Sequence, residues 1–273
     1  MRLIVSLVTH EPDEALLGRT LESLNAALAT LADIDTRVLV VLNGRETRGT
    51  LIEQVAEAGL NHTADSVSVD KPGKNLGFGR AHNRALALMD TPGPEDFFLF
   101  LNPDVLQRPD ALKQALDYLH AHPEVVALSP RVEFEDGTRQ YLCKRYPSLL
   151  DFVLRGFAPA SLRRLFARRL AAYEMRGLTE DQPVTDVELI SGCYLLCRAG
   201  PLCRLGGFDA GYFLYFEDYD LSMRLREFGR LAYVPAVHIV HAGGHAARKG
   251  WRHRWLFMRS AARFFSTHGW KLL

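Results

Sequence analysis

Residues 3–8 form a short apolar run, broken only by Ser6 and rich in β-forming side chains, which predicts a buried strand. Downstream, Leu17, Leu21, Leu24, Leu28 and Leu31 recur at helical spacing, with Pro12 suited to a first helical position and Asp13 and Glu14 to the positive end of the helix dipole. Apolar runs at 37–42, 66–70 and 97–101 predict three more strands, and a fifth begins over 125–128. Helices are expected over 50–58, 77–89 and 109–120. Strand and helix thus alternate through the first half, an α/β pattern that predicts a mostly parallel central sheet with helices on both faces. Ligands of such sheets bind beyond the carboxyl ends of the strands, so Thr9, His10, Glu11, Asn43 and the Asn102-Pro103-Asp104 turn are expected to converge.

The second half reads differently. Residues 155–176 are basic and amphipathic, 187–196 and 231–234 read as strands, 217–228 as a helix, and 251–265 as a basic helix carrying aromatic residues. No internal repeat or low-complexity tract is present. The net charge of +1 on 273 residues gives no polyanion-binding signal, so nucleic acid is not expected as a partner. Cys143, Cys193, Cys197 and Cys203 lack metal-ligand spacing and read as buried, reduced thiols. The N-terminal apolar run is too short for a signal peptide or a membrane span, which favours a cytoplasmic location.

Several clusters carry candidate chemistry. Pro103 stops a buried strand and turns Asp104 toward the crevice, where a carboxylate can hold Mg²⁺ or Mn²⁺; an ordinary strand-ending turn is the alternative. Glu217, Asp218 and Asp220 open a helix after a glycine- and aromatic-rich run at 208–216. They are either a dipole-favoured first turn or a site in which one carboxylate acts as a general base. His238, His241 and His245 share a segment with Gly243 and Gly244 that suits a flap; each imidazole either ligates a metal or packs locally. Asn75 and Gly77 precede a helix N-terminus able to face an anion, but His82 occupies the third glycine position of a dinucleotide fingerprint, which disfavours a dehydrogenase.

Taken in order, Val5-Ser6-Leu7-Val8-Thr9-His10, Asn75-x-Gly77-Phe78-Gly79-x-x-x-Asn83, Leu101-Asn102-Pro103-Asp104, Ser191-Gly192-x-x-Leu195, Gly206-Gly207-Phe208-Asp209, Glu217-Asp218-Tyr219-Asp220-Leu221-x-x-Arg224 and His241-x-Gly243-Gly244 resemble the family 2 glycosyltransferases of GT-A fold, especially their rhamnosyltransferase-like branch. The resemblance implies a Rossmann-related GT-A domain over 1–245, with a nucleotide-sugar half at 1–130 and an acceptor and catalytic half at 131–245. Residues 246–273 add a C-terminal basic aromatic helix on the acceptor side. It further implies Asp104 and His241 as metal ligands for Mg²⁺ or Mn²⁺, Asp218 as the base of an inverting transfer, and Thr9, His10, Glu11, Asn43, Asn75, Gly77, Asn102 and Asp104 around the nucleotide sugar. Asp209 and Glu217 are expected to shape the sugar and acceptor pocket. The sequence departs from the family where Leu42 replaces the usual acid before Asn43, where Asn102 replaces a common Asp, and where His245 replaces a common serine.

The donor implied by the branch is a dTDP-, UDP- or GDP-linked sugar, with L-rhamnose or another deoxyhexose leading. The acceptor is a glycan, free or on polyprenyl diphosphate, of cell-surface polysaccharide synthesis. The basic aromatic stretches suit peripheral contact with the inner membrane face. Two rivals are a hydrolase built on His238, His241, His245 and Asp218, and a nucleotide-sugar-binding protein without turnover.

Overall fold

The computed structural model describes residues 1–31, 33–44, 55, 58–156, 158–243 and 251–273. The first half of the chain runs through β1 (Arg2–Thr9), α1 (Glu14–Leu28), β2 (Asp35–Leu42), β3 (Ser66–Asp70), α2 (Phe78–His82), β4 (Phe97–Leu101), β5 (Val105–Gln107), α3 (Ala111–Ala121) and β6 (Val125–Glu133). The second half adds β7 (Arg139–Gln140), α4 (Leu149–Gly156), α5 (Ala160–Leu165), α6 (Ala167–Tyr173), β8 (Val184–Thr185), β9 (Tyr194–Arg198), α7 (Ala199–Leu205), α8 (Glu217–Leu225), β10 (Arg230–His241) and α9 (Trp251–His268).

The strands form one sheet in the order β3-β2-β1-β4-β9-β6-β10-β5, with β7 on β6 and β8 on β10. The central strands are apolar in succession because both faces are covered. In β1, Leu3, Val5 and Leu7 join the core containing α1 and α3, while Ile4 and Val8 join the core containing α2, α7 and α8. The same alternation places Phe97, Leu99 and Leu101 on one face and Phe98 and Phe100 on the other. Helix α1 is started by Asp13, whose side chain accepts from the Leu16 amide, and it buries Leu17, Leu21, Leu24 and Leu28. Each such leucine contributes about 1.5–3 kcal/mol of transfer free energy.

From β3 to β4 the pairing is parallel, as expected; beyond β4 the sheet is mixed, because β9 runs antiparallel between β4 and β6 while β10 is parallel to β6 and antiparallel to β5. The helix expected over 77–89 is one α-turn followed by a 3₁₀ stretch at Asn83–Leu88. There the Asn83 side chain accepts from the Phe208 amide and donates to the Phe208 carbonyl, tying the segment to the loop before α8. The strand expected over 187–196 is interrupted at Ser191-Gly192, and only Tyr194–Arg198 forms β9. β10 runs past the expected end at 234, since Pro235 sits in a register shift between Val234 and His238 that the sheet accommodates. The helix expected over 50–58 lies almost wholly outside the described residues. Helix α9 packs Phe264 and Phe265 against Phe152, Tyr212 and Phe216.

Candidate active site

The antiparallel placement of β9 builds the site. β4 ends where β9 begins: Leu101 pairs with Tyr194, and the Asn102 amide donates to the Cys193 carbonyl at 2.8 Å. The two turns therefore lie side by side at one edge of the sheet. They open into a cavity of about 390 Å³ whose polar wall includes Asn102, Asp104, Ser191, Glu217, Asp218 and His241.

Asp104 is fixed through its backbone. The Thr20 hydroxyl of α1 donates to the Pro103 carbonyl at 3.0 Å, and the Ala242 amide donates to the Asp104 carbonyl at 2.9 Å. Gly243 lies so close that a Cβ there would sit 1.7 Å from Asp104 Oδ2. His241 closes β10 opposite Val105 of β5, which brings its Nε2 to 3.3 Å from Asp104 Oδ1. Gln140 holds the imidazole from behind: its amide nitrogen donates to the His241 carbonyl at 2.6 Å, and its Oε1 lies 3.0 Å from Nδ1. Because the amide nitrogen is committed to a carbonyl, Oε1 is the acceptor, so the ring proton sits on Nδ1 and the Nε2 lone pair faces Asp104. Nε2 and Asp104 Oδ1 are both buried and lack hydrogen-bond partners. Two facing acceptors without a proton between them are what a divalent cation satisfies, so this pair fits the metal the resemblance implies. Among the described residues no cluster of three or more His, Cys, Asp or Glu side chains is placed to hold a metal.

Across the cavity, α8 begins after two consecutive left-handed residues, Tyr215 (φ 71) and Phe216 (φ 65). That conformation is disfavoured by about 1–2 kcal/mol for a side chain bearing Cβ, and it aims both Glu217 and Asp218 into the cavity. Asp218 Oδ2 accepts from the Gly192 amide at 3.1 Å and Oδ1 from the Tyr219 amide at 2.9 Å. Burial raises the Asp218 carboxyl, and these amides with the Ser191 hydroxyl oppose the rise. Burial, then the neighbouring Asp218 charge, pushes Glu217 well above the carboxylate range, and Glu217 Oε2 has no partner. Within the pair, burial and the Asp218 charge favour the protonated form of Glu217, while the N–H donors favour the ionised form of Asp218.

The remaining expected residues form a shelf beside the cavity. Asn43 is its hub, donating to the Gly77 carbonyl at 3.1 Å and to Asn75 Oδ1 at 3.2 Å while accepting from the Leu76 amide at 2.7 Å. His10 joins through Nδ1 to the Asn43 carbonyl at 3.0 Å and through Nε2 to the Asn75 amide at 3.2 Å. Thr9 is buried beneath the shelf, and Glu11 is exposed in a left-handed turn. Gly77 presses on the Phe213 carbonyl, where a Cβ would approach to 2.3 Å, and Phe78 carries the shelf into the cavity wall.

Asp209 does not line the cavity; it accepts from Arg263 of α9 at 2.6 and 3.0 Å and so anchors that helix. His238 faces Glu133 at 3.1 Å rather than His241, and His245 lies outside the described residues, so the histidine trio of a hydrolase is not assembled among the described residues. The cysteines are free, and burial pushes the Cys193 thiol in the cavity wall up to about 12. Two contributors escaped the sequence reading: Gln140, which holds His241 from behind and whose two-residue strand leaves no pattern, and Arg155, read as part of an amphipathic face but lining the cavity. The small pair Ser191-Gly192 inside an apolar run was the available signal for the turn that supports Asp218.

Residues 4–177 match the family described as Glycosyl transferase family 2. The chain belongs to glycosyltransferase family 2. Over 254 residues the glycosyltransferase is 32% identical to an N-acetylglucosaminyl-diphospho-decaprenol L-rhamnosyltransferase of Mycobacterium tuberculosis, covering 89% of this chain and 77% of the relative. It is 28% identical over 255 residues to the rhamnosyltransferase WbbL of Escherichia coli K12, covering 90% and 86%. Among solved structures it is similar to the mannosyltransferase PcManGT from Pyrobaculum calidifontis, in complex with GDP-Man and Mn²⁺, at a TM-score of 0.56, 16% identity, and 98% and 75% coverage. The fold is that of the GT-A glycosyltransferases. The glycosyltransferase thus carries, in one pocket, the carboxylates of buried Glu217 and half-buried Asp218 and an Asp104–His241 pair whose facing atoms lack hydrogen-bond partners, beside a hydrogen-bonded shelf.

Proposed function

We propose that this glycosyltransferase moves L-rhamnose, or a related deoxyhexose, with inversion from a nucleoside diphosphate to a glycan on a polyprenyl diphosphate carrier at the inner membrane face. The observation that carries the reaction is the cavity itself, which is lined both by Asp218, held by two amide donors, and by the Asp104–His241 pair. The likeness to two rhamnosyltransferases supports the sugar, and the decaprenol in the name of one supports the acceptor class.

In this reading the Asn43–Asn75–His10 shelf receives the nucleotide, with Thr9 supporting it from beneath and Glu11 and Asn102 at its border. Asp104 and His241 would hold Mg²⁺ or Mn²⁺, which neutralises the diphosphate leaving group. Asp218 takes the proton from the acceptor hydroxyl as that oxygen attacks the anomeric carbon. Glu217, carrying its own proton, lines the sugar side without competing as a base. Membrane contact is supported by α9, which buries Leu256, Phe264 and Phe265 but presents Trp251 (82% exposed) and Trp255 (54%) beside Arg252, Arg254 and Arg259. No helix among the described residues is long and apolar enough to cross a membrane.

The test is a thermal-shift series with dTDP, UDP, GDP and their sugars, with and without Mn²⁺ or Mg²⁺, on wild type and Asp104→Ala, followed by transfer to a lipid-linked acceptor. A metal-dependent stabilisation by one nucleotide, lost in Asp104→Ala, is expected. Metal-independent nucleotide binding would refute the cation's role, and stabilisation without sugar transfer would favour a binding protein.

A further inference from the structure

A second cavity, of about 460 Å³, adjoins the reaction cavity, and Arg155 lines both. Its wall carries Arg155, Arg163, Arg164 and Arg176, with Glu174 as the one carboxylate among its lining residues. That carboxylate is already used: Arg176 donates to Glu174 Oε2 at 2.6 and 2.8 Å, and Arg155 lies 3.4 Å from Oε1. Arg163 and Arg164 form no ion pair among the described residues, so the concavity holds uncompensated positive charge. The buried Lys144 nearby feels that field: burial, and then the charge of Arg155, lower its ammonium to about 8.

The rim adds a second property. Helix α5 buries none of its residues, although it carries Leu162 and Leu165, the latter 77% exposed. A helix that supplies unpaired arginines to a concavity and leucines to its outer surface matches an amphiphile with a dense anionic group and an alkyl chain. Guanidinium forks suit diphosphate oxygens, and the shared Arg155 places that anion next to the sugar-transfer cavity.

We propose that the Arg155–Arg163–Arg164–Arg176 cavity is the subsite for the diphosphate of the lipid-linked acceptor, with Leu162 and Leu165 on the side of the prenyl chain. The assignment rests on the acceptor reading above, and it separates the enzyme's two diphosphates, the donor's at Asp104 and the acceptor's here.

The test is calorimetric titration of the full chain with farnesyl diphosphate, inorganic pyrophosphate and farnesol. It is made without divalent cation, so that the donor site contributes no metal-bound diphosphate, on wild type and an Arg163→Ala/Arg164→Ala double variant. Because neither side chain is buried, the variant should melt as wild type does. Farnesyl diphosphate should bind wild type at least tenfold more tightly than it binds the variant, and more tightly than pyrophosphate; farnesol should not bind. Equal affinity of farnesyl diphosphate for both proteins overturns the subsite, and equal affinity of wild type for farnesyl diphosphate and pyrophosphate overturns its lipid-linked ligand. Transfer assays separate the two readings. If lipid-linked glycan is glycosylated with an unchanged KM in the variant, the subsite falls and the function stands. If farnesyl diphosphate binding requires the arginines while no lipid-linked glycan is glycosylated, the function falls and a prenyl-diphosphate site stands.

Discussion

Removing Gln140 tests whether the orientation of His241 matters to the metal or only to the fold. Gln140→Ala deletes the 2.6 Å bond to the His241 carbonyl and the 3.0 Å bond from Nδ1–H, both buried. Leaving a buried donor or acceptor unsatisfied destabilises by about 1–3 kcal/mol each, so a loss of about 2–6 kcal/mol in folding stability is expected for the two. The second effect is separate. Without Oε1 the ring can rotate or place its proton on Nε2, and loss of such an orienting partner typically weakens metal binding about 10- to 100-fold. The assay is a Mn²⁺ titration at saturating nucleoside diphosphate, read by calorimetry, beside a thermal melt. Gln140→Glu discriminates: its carboxylate still accepts from Nδ1–H but opposes the His241 carbonyl. It should therefore melt early while binding Mn²⁺ nearly as wild type does. If Gln140→Ala binds Mn²⁺ with unchanged affinity, or Gln140→Glu loses as much affinity as Gln140→Ala, the tautomer argument is wrong and Gln140 is only a structural tie.

Three further outcomes follow from the same cavity. Gly243→Ala places a Cβ 1.7 Å from Asp104 Oδ2, so the carboxylate must move; kcat/KM should fall at least about tenfold, and an unaltered value would mean that the position of Asp104 is not critical. Asp218→Asn should lower kcat by about 10²–10⁴ with nucleotide binding retained. The wild-type rate should fall on the acid side as Asp218 takes up a proton, at a pH above the ordinary aspartate value of about 3.9, since its carboxyl is raised by burial. An acid limb at or below that value would contradict the assignment.

Much of the first half of the fold was legible in the sequence because β1, β2 and β4 are buried on both faces, which writes them as continuous apolar runs, and because the leucines of α1 repeat at helical period. Asp104 was legible for a related reason, since Pro103 ends an apolar strand and leaves a carboxylate at its carboxyl end. Direction was not: a short, mostly apolar run such as Tyr194–Arg198 reads the same whether parallel or antiparallel, yet its antiparallel course sets Ser191-Gly192 beside Asn102. Nor was the division between Glu217 and Asp218, because it depends on an amide donated by Gly192, 26 positions away. Asp209 followed the family pattern into the pocket, but its partner, Arg263, lies on a helix whose docking no local pattern encodes.

The position of β10 has a consequence for how the molecule comes together. Among the described residues it is the last strand, yet it sits between β6 and β5, whose paired residues lie more than a hundred positions earlier. Until residues 230–241 arrive, β6 lacks that neighbour and β5 has no place in the sheet, so a slot must stay open through the long-range, slow stage of folding. Since His241 enters with that strand, a partly folded chain holding a finished Asn43–Asn75–His10 shelf would still lack the Asp104–His241 pair. Closure of the sheet and assembly of the Asp104–His241 pair are therefore one event.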